Sequence, residues 1–195
     1  KQLATKYKLS VEEALCRLKE RYDGYHFVEN GIGIYNPFSL LNTFKRLQFG
    51  SYWFETGTPT YLVELLKQDN YRLPNLTKEV STADVLNCID TASNNPIPVL
   101  YQSGYLTIKS FDEEFGEYRL GFPNKEVEEG FTRFLLPYYT GLRNPETPFS
   151  MGEFVRDLRS GRPEDFMQRM ATLFADTDYK IVGNSELYFQ NAFYL

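Results

Sequence analysis

The side chains best suited to chemistry are few in this sequence and lie far apart. There is one histidine, His26, and there are two cysteines, Cys16 and Cys88. Cys16 falls between the inward positions of a predicted helix, which favours packing over nucleophilic catalysis with His26. His26 itself is predicted to be a strand residue with a hydrogen-bonded ring. A zinc site of the usual spacing needs more cysteines or histidines than the sequence contains.

Carboxylates are numerous, but their spacing does not indicate catalysis. Glu126, Glu128 and Glu129 fall on a predicted helix beside its apolar face and are expected to be solvated. The acidic turn at 112–114 could bind a cation, although a solvated loop is the simpler interpretation. No Gly-x-x-x-x-Gly-Lys-Ser/Thr motif is present to hold a nucleotide phosphate. The pattern therefore predicts no catalytic, cofactor-binding or metal-binding residue among these groups.

Helix-start signals predict two helices in the first third of the chain. Residues 10–22 are predicted to be helical, because Ser10 and Glu13 have the spacing of a capping box. A second helix is expected to begin at Asn36-Pro37, as N-cap and first residue, and to end at Gly50. Its predicted inward residues are Phe38, Leu41, Phe44 and Leu47.

Extended and aromatic segments separate these helices. Residues 25–28 and 32–35 are predicted to form a hairpin, because the Asn30-Gly31 turn between them tolerates positive φ. The aromatic run 52–54 is expected to be buried. A third helix should begin at Thr58-Pro59, with four inward residues: Tyr61, Leu62, Leu65 and Leu66.

The middle of the chain has the order of a winged-helix domain. The predicted elements are helix 81–89, helix 96–104, strand 105–109, strand 117–122 and helix 123–136. Gly104 is expected to cap its helix in the left-handed conformation, and Pro137 to stop the last helix. Two helices followed by a two-stranded wing around an acidic turn are typical of a winged helix.

The last third is predicted to be helical again. Ser150 and Glu153 have capping-box spacing, with Phe154 and Leu158 inward. Further helices are expected from Pro163 and from Ser185, and 144–148 is the most linker-like stretch. The inward residues of these two helices are predicted to be Phe166, Met167, Met170, Ala171, Phe174, Leu187, Tyr188, Asn191, Ala192 and Leu195. The predicted fold class is mainly α with small β (α+β).

Five ordered motifs resemble one protein family. They are YDGYHF at 22–27, IYNPFSLL at 34–41, YWFETGTP at 52–59, PVLYQSGYLTI at 98–108 and YRLGFPNKEV at 118–127. Together they are similar to bacterial AAA-ATPase-like proteins that carry a C-terminal PD-(D/E)XK nuclease domain. The resemblance runs essentially from end to end.

The resemblance implies three parts in this chain. Residues 1–73 correspond to the C-terminal, lid-like helical part of the ATPase, residues 74–143 to a winged-helix-like domain, and residues 144–195 to a helical linker and the first nuclease helix. The chain begins at Lys1 and ends within an apolar helical pattern, so it is expected to be cut from a larger polypeptide. ATP and Mg²⁺ are implied for that parent protein, whose Walker motifs would precede Lys1. Glu186 matches a metal-supporting glutamate on the first nuclease helix, but the Asp and Glu-x-Lys strands would follow Leu195.

Charge bears on the choice between two functions. The net charge is −5, and residues 74–140 contain ten acidic and five basic residues. Nucleic-acid binders usually carry a basic excess, because neutralising phosphates drives much of their affinity. The sequence therefore favours a non-catalytic module that docks other parts of the parent, its ATPase core and nuclease domain. A nucleic-acid-binding winged helix is the alternative, with DNA contact disfavoured by the acidic charge.

Cellular location and self-association are further expectations. Two isolated cysteines fit a reduced cytoplasmic protein, and the first residues do not have the apolar core of a signal peptide. No apolar run is long enough to span a bilayer, so a membrane partner is not expected. Apolar faces left at the two cuts could drive self-association.

Overall fold

The computed structural model describes residues 1–56, 60–68, 71–88, 95–140, 147–175 and 185–195. The chain divides into two compact units, Lys1–Phe131 and Thr132–Leu195, and each is described by itself. Helices dominate, with one small antiparallel sheet, so the predicted class of mainly α with small β is confirmed. The division into 1–73, 74–143 and 144–195 stays a prediction.

The described elements follow one another in this order. Those up to the end of the sheet are α1 (Gln2–Tyr7), α2 (Val11–Tyr22), α3 (Pro37–Arg46), a 3-10 turn (Trp53–Thr56), α4 (Thr60–Gln68), a second 3-10 turn (Leu73–Asn75), β1 (Val80–Thr82), α5 (Ala83–Asn87), α6 (Ile97–Gln102), β2 (Thr107–Asp112) and β3 (Glu117–Gly121). Then come α7 (Lys125–Thr140), α8 (Thr147–Arg159), α9 (Pro163–Ala175) and α10 (Ser185–Tyr194). The boundary between the two units falls within the sequence of α7.

The first two predicted helix starts are confirmed in detail. The Ser10 hydroxyl accepts from the Glu13 N–H at 3.0 Å, and Glu13 accepts from the Ser10 N–H at 2.7 Å. Asn36 caps α3 by accepting from the Ser39 N–H at 3.2 Å, with Pro37 as first residue. These caps satisfy amides that have no partner within their own helices.

The predicted inward face of α3 is wrong. Phe38, Leu41 and Phe44 are 45%, 67% and 49% exposed, whereas Ser39 and Thr43 are fully buried. The helix is turned so that its small hydroxyl residues lie inward, where Ser39 approaches a buried carboxylate described below. The helix also ends earlier than Gly50, at Arg46, and is followed by Leu47 as its left-handed C-cap with a φ of 49°.

Other predicted apolar faces also differ from the observed burial. Ala14, Leu18 and Tyr22 of α2 are buried, but Val11, Leu15 and Cys16 are exposed, so Cys16 is not a packing residue. In α4, Val63 is buried in place of the predicted Tyr61, which is 61% exposed. The patch 52–54 is only partly interior, since Tyr52 is buried while Trp53 and Phe54 are half-buried.

The predicted hairpin at 25–35 is reduced to one bridge. Tyr25 and Ile34 exchange backbone hydrogen bonds of 3.2 and 2.9 Å, and Asn30 turns the chain with a φ of 53°. The Thr107 hydroxyl accepts from the His26 N–H at 2.8 Å and donates to the His26 carbonyl at 3.0 Å. Because Thr107 takes both main-chain groups of His26, the loop is held without a strand ladder.

The sheet has a strand that the sequence did not predict. Its order is β1-β3-β2, with both pairings antiparallel and β3 in the centre. β1 has three residues, too few for an alternation of period two to be visible. The two longer strands were predicted, but β2 lies two to three residues later than expected. Gly104 follows α6 with a φ of 78°, as predicted for its cap.

α7 continues past Pro137, which was predicted to stop it. A proline inside a helix removes one backbone hydrogen bond and usually kinks or ends it. In the second unit, Leu135, Leu136 and Tyr139 are buried on either side of Pro137 and hold the last turn in place. Burial raises the pKa of Tyr139 to about 12, although its hydrogen bond to the side chain of Asn191 acts in the opposite direction.

The second unit also corrects the capping box at 150–153. α8 begins at Thr147, so Ser150 lies inside the helix and cannot be its N-cap. Asp157, 1% exposed at its side chain, instead joins the two helices by accepting from Arg162 at 3.0 Å and Arg169 at 2.9 Å. Leu158 and Met167, both predicted inward, are 54% and 59% exposed.

The remaining predictions for this unit mostly hold. α9 begins at Pro163 and α10 at Ser185, as expected. Eight residues predicted inward are buried or partly buried besides Phe154: Phe166, Met170, Phe174, Leu187, Tyr188, Asn191, Ala192 and Leu195. Ala171 is exposed instead. The stretch 144–146 of the predicted linker lies outside the described residues.

Candidate binding groove

Two adjoining cavities in the first unit form what we call the aromatic groove. The first encloses about 420 Å³ and is lined by the rings of Tyr25, Phe27, Tyr35, Trp53 and Tyr101. The second encloses about 450 Å³, and Phe27 and Tyr101 line it as well. Both volumes are within the range of ligand and side-chain pockets in proteins.

The loop 25–34 supplies one wall of the groove. Thr107 fixes its backbone at His26, and the single Tyr25–Ile34 bridge closes its base. Phe27, Val28 and Ile32 are 69%, 64% and 86% exposed. An apolar cluster of this kind on a surface loop commonly marks an interaction site.

Trp53 forms a second wall and is held through its backbone. Its N–H donates to Oε1 of Glu126 at 3.2 Å. Its ring packs edge-on against Tyr105, with centroids 4.9 Å apart, and against Phe54 at 5.1 Å. A Cβ on Gly104 would lie 3.5 Å from Cε1 of Tyr25 and 3.8 Å from Cζ2 of Trp53, so these two rings converge over one glycine.

Glu126 is the residue that the sequence analysis placed most wrongly. It was expected to be solvated together with Glu128 and Glu129, yet it is 0% exposed. Burial raises the pKa of its carboxyl, while the Ser39 hydroxyl and the N–H groups of Trp53 and Tyr52 act in the opposite direction. The carboxylate thus ties α7 to the aromatic run 52–54.

A sequence signal for this burial was present. Gly130 lies one turn after Glu126 on α7, and a Cβ there would be 2.2 Å from the Phe54 ring. A glycine within a helix often marks a face that another segment approaches closely, and i, i+4 residues share a face. Glu129, by contrast, is half-exposed and pairs with Arg21 at 2.8 Å.

The groove has few side chains that can carry a charge. His26 lines the first cavity, and its Nδ1 has no hydrogen-bond partner within the described residues, so the prediction of a satisfied ring is wrong. Glu29 lines the second cavity and accepts from the Tyr118 hydroxyl. No lysine or arginine is among the described residues that line either cavity. The groove is therefore aromatic, with one carboxylate at its rim.

The other candidate residues lie apart from this groove. Asp112 accepts from the N–H groups of Glu114 and Phe115 at 3.0 and 3.3 Å, so the acidic turn is a self-bonded exposed loop. Glu186 is exposed near the start of α10 and accepts from Gln190 at 3.0 Å. Cys16 and Cys88 are free and exposed.

The described ranges contain neither a cluster of metal ligands nor a helix that could cross a membrane. Between 1 and 195, outside the five undescribed gaps, no group of three or more His, Cys, Asp or Glu residues is placed to hold a metal ion. The helices in these ranges do not combine the length and apolarity needed to cross a bilayer.

The chain is similar to a curated protein of Azotobacter chroococcum mcd 1. Over 120 residues it is 38% identical to the "Uncharacterized protein in vnfD 5'region" of Azotobacter chroococcum mcd 1. The match covers 60% of this chain and 23% of that protein, so the chain spans less than a quarter of the relative's length. No protein-family model matches the chain. No solved structure matches it either.

Proposed function

We propose that this chain is a non-catalytic docking module of a larger bacterial protein that resembles AAA-ATPases with a C-terminal PD-(D/E)XK nuclease domain. ATP and Mg²⁺ belong to other segments of that parent, and Glu186 is the nuclease-helix glutamate. The observation that carries the docking role is the aromatic groove. It joins two cavities to an exposed apolar loop, and its walls are fixed by Thr107 and Glu126 rather than left mobile.

The topology supports a winged-helix-like middle region. The order α4, β1, α5, α6, β2, β3, with β3 central in the sheet, places two helices before a two-stranded wing. In a DNA-reading version of this arrangement, α6 would be the recognition helix and the turn after β2 the wing. The described residues of α6, Ile97–Gln102, include no lysine or arginine.

The charges of the same region favour a protein partner. The wing turn carries Asp112, Glu113 and Glu114, all exposed. Carboxylates beside a phosphate backbone are repelled, and the repulsion grows as salt is lowered. The winged-helix-like region therefore docks the ATPase core or the nuclease domain of the parent in preference to DNA. We place the module in the cytoplasm, where its two exposed thiols remain reduced.

Fluorescence anisotropy of labelled duplex and single-stranded DNA tests this choice. The chain is titrated into each probe at low and at moderate salt. We expect no saturable binding at low salt, because the region that would face the DNA is acidic. Micromolar binding that weakens steeply with salt would instead identify the nucleic-acid-binding winged helix, the alternative function.

A further inference from the structure

We propose that the aromatic groove binds an arginine side chain on an extended, otherwise apolar segment of a partner protein. This inference rests on the docking function and names the chemistry of the partner. Its basis is the combination of converging aromatic rings, a rim carboxylate and an unpaired ring nitrogen, in a groove whose described lining contains no cation.

The rings favour a flat cation. A guanidinium group stacks on aromatic faces, is weakly hydrated, and is attracted by the negative faces of Trp and Tyr rings. Tyr25 and Trp53 converge over Gly104, and Tyr101 lines both cavities. The apolar stem of an arginine would contact the same rings, as the long side chains of basic residues do at other apolar surfaces.

The polar atoms discussed here are hydrogen-bond acceptors, which suit a hydrogen-bond donor on the partner. Glu29 provides a carboxylate at the rim, and Nδ1 of His26 is buried without a partner in the described chain. In the tautomer protonated at Nε2, that nitrogen is an acceptor. A guanidinium offers several N–H donors and no acceptor, so it can bond the exposed Glu29 carboxylate at the rim, whereas a neutral apolar side chain cannot.

The basic side chains of the neighbouring sheet do not occupy the position that we propose for the arginine. Side chains alternate between the two faces of a strand, so Arg119 lies on the face opposite Tyr118, the residue that contacts Glu29. Lys109 is also engaged elsewhere, because its Nζ donates to the Pro123 carbonyl at 3.2 Å. The charge that the groove presents to a partner is therefore negative.

Trp53 makes the binding directly measurable, because it is the single tryptophan of the chain. The probe is the peptide acetyl-Leu-Arg-Leu-Arg-Leu-amide, titrated against the fluorescence of Trp53. Matched peptides replace arginine by lysine or by citrulline, which keeps the shape of arginine and loses its charge. We expect saturable binding of the arginine peptide, and affinity weaker by about ten-fold or more for citrulline.

Four single substitutions locate the site. Tyr101→Ala and Glu29→Gln should each weaken the arginine peptide by about three- to ten-fold, and Glu29→Gln should reduce the salt dependence. Tyr61→Ala and Glu12→Gln change the same residue types at exposed positions outside the groove and should leave the affinity unchanged. Circular dichroism confirms that each variant is folded.

Three results would overturn the inference. They are equal affinity for the arginine and citrulline peptides, binding unaffected by both groove substitutions, and no binding of any peptide. The DNA titration separates this failure from failure of the docking function. If DNA also fails to bind, docking stands with another kind of partner; if DNA binds with steep salt dependence, the docking function itself is wrong.

Discussion

At the scale of single residues, a buried carboxylate organises the surroundings of the groove. Glu126 accepts from the Trp53 N–H, and Ser39 of α3 lies beside the same carboxyl. Burying a charged group costs free energy unless hydrogen bonds compensate it. Of the two buried hydroxyl residues of α3, Ser39 is the one beside this carboxyl, and its Oγ and Oε2 of Glu126 have no hydrogen-bond partner of normal geometry among the described residues.

Glu126→Gln should change how stability depends on pH. Burial raises the pKa of Glu126, so between its ordinary value of 4.5 and the raised value the folded chain holds this proton and the unfolded chain does not. The contribution of Glu126 to the free energy of unfolding therefore falls as pH rises through that window. Gln cannot ionise, so in that window the free energy of unfolding of the variant should rise relative to the wild type by at most about 1.4 kcal/mol per pH unit.

Urea unfolding of both proteins across acidic to neutral pH measures this difference. Glu128→Gln, at an exposed position on the same helix, is the matched control and should stay parallel to the wild type. A Glu126→Gln curve that also stays parallel would show that the carboxyl titrates with its ordinary pKa in the folded protein.

Gly130→Ala should destabilise the protein, although alanine is the better helix former. The new Cβ would lie 2.2 Å from the Phe54 ring, which would have to move within its aromatic cluster. Overpacking of this kind costs about 1–3 kcal/mol, against about 1 kcal/mol gained in helix propensity. We expect a net loss of up to about 2 kcal/mol in denaturant titration.

Gly152→Ala supplies the comparison for that substitution. Its Cβ would approach only the guanidinium of Arg156, at 3.3 Å, and that side chain can move. Gly152→Ala should therefore stabilise by up to about 1 kcal/mol. If both alanine variants are stabilised equally, Phe54 does not pack on Gly130.

At the scale of elements, local signals were the predictable part of the fold. The caps at Ser10 and Asn36, the start of α9 at Pro163 and the left-handed Gly104 all depend on neighbouring residues, and all are confirmed. Helix faces were less predictable, because α3 packs toward a carboxylate 80 or more positions away in sequence. An apolar period of 3.6 does not reveal a polar neighbour of that kind.

Apart from its aromatic residues, the groove could not be predicted from the sequence either. The run 52–54 was expected to be interior, whereas Trp53 is a half-buried wall. That outcome depends on Glu126 and on Thr107, which hold the two walls from distant positions. The loop that replaces the predicted hairpin at 25–35 is likewise held by Thr107, through the main-chain groups of His26.

Thr107→Val tests this account of the loop. Valine keeps the shape and the burial of Thr107 but cannot bond the N–H and carbonyl of His26. Losing these bonds should cost about 1–3 kcal/mol of stability. Amide hydrogen exchange should rise across 25–34 more than elsewhere. Exchange that is unchanged in 25–34 would mean that the Tyr25–Ile34 bridge alone holds the loop.

At the scale of the whole molecule, acidic charge and exposed apolar surface coexist. The net charge of −5 keeps copies apart at neutral pH, and the sequence pI is about 5.1. Phe38, Leu41 and Phe44 are about half-exposed or more along one helix. Repulsion between copies disappears as pH approaches the pI, while apolar attraction does not.

We therefore expect α3 to mediate self-association that strengthens as pH falls from neutral toward the pI. Sedimentation equilibrium measures it across protein concentration at each pH. The double variant Leu41→Gln and Phe44→Gln should weaken association by about ten-fold or more, because it removes apolar area from the contact. Leu158→Gln, an exposed leucine of the second unit, is the matched control.

If the double variant associates like the wild type while Phe27→Ser does not, copies meet through the loop 25–34 instead. The peptide would then compete with self-association, and the groove would be free to bind its arginine only in the dissociated chain.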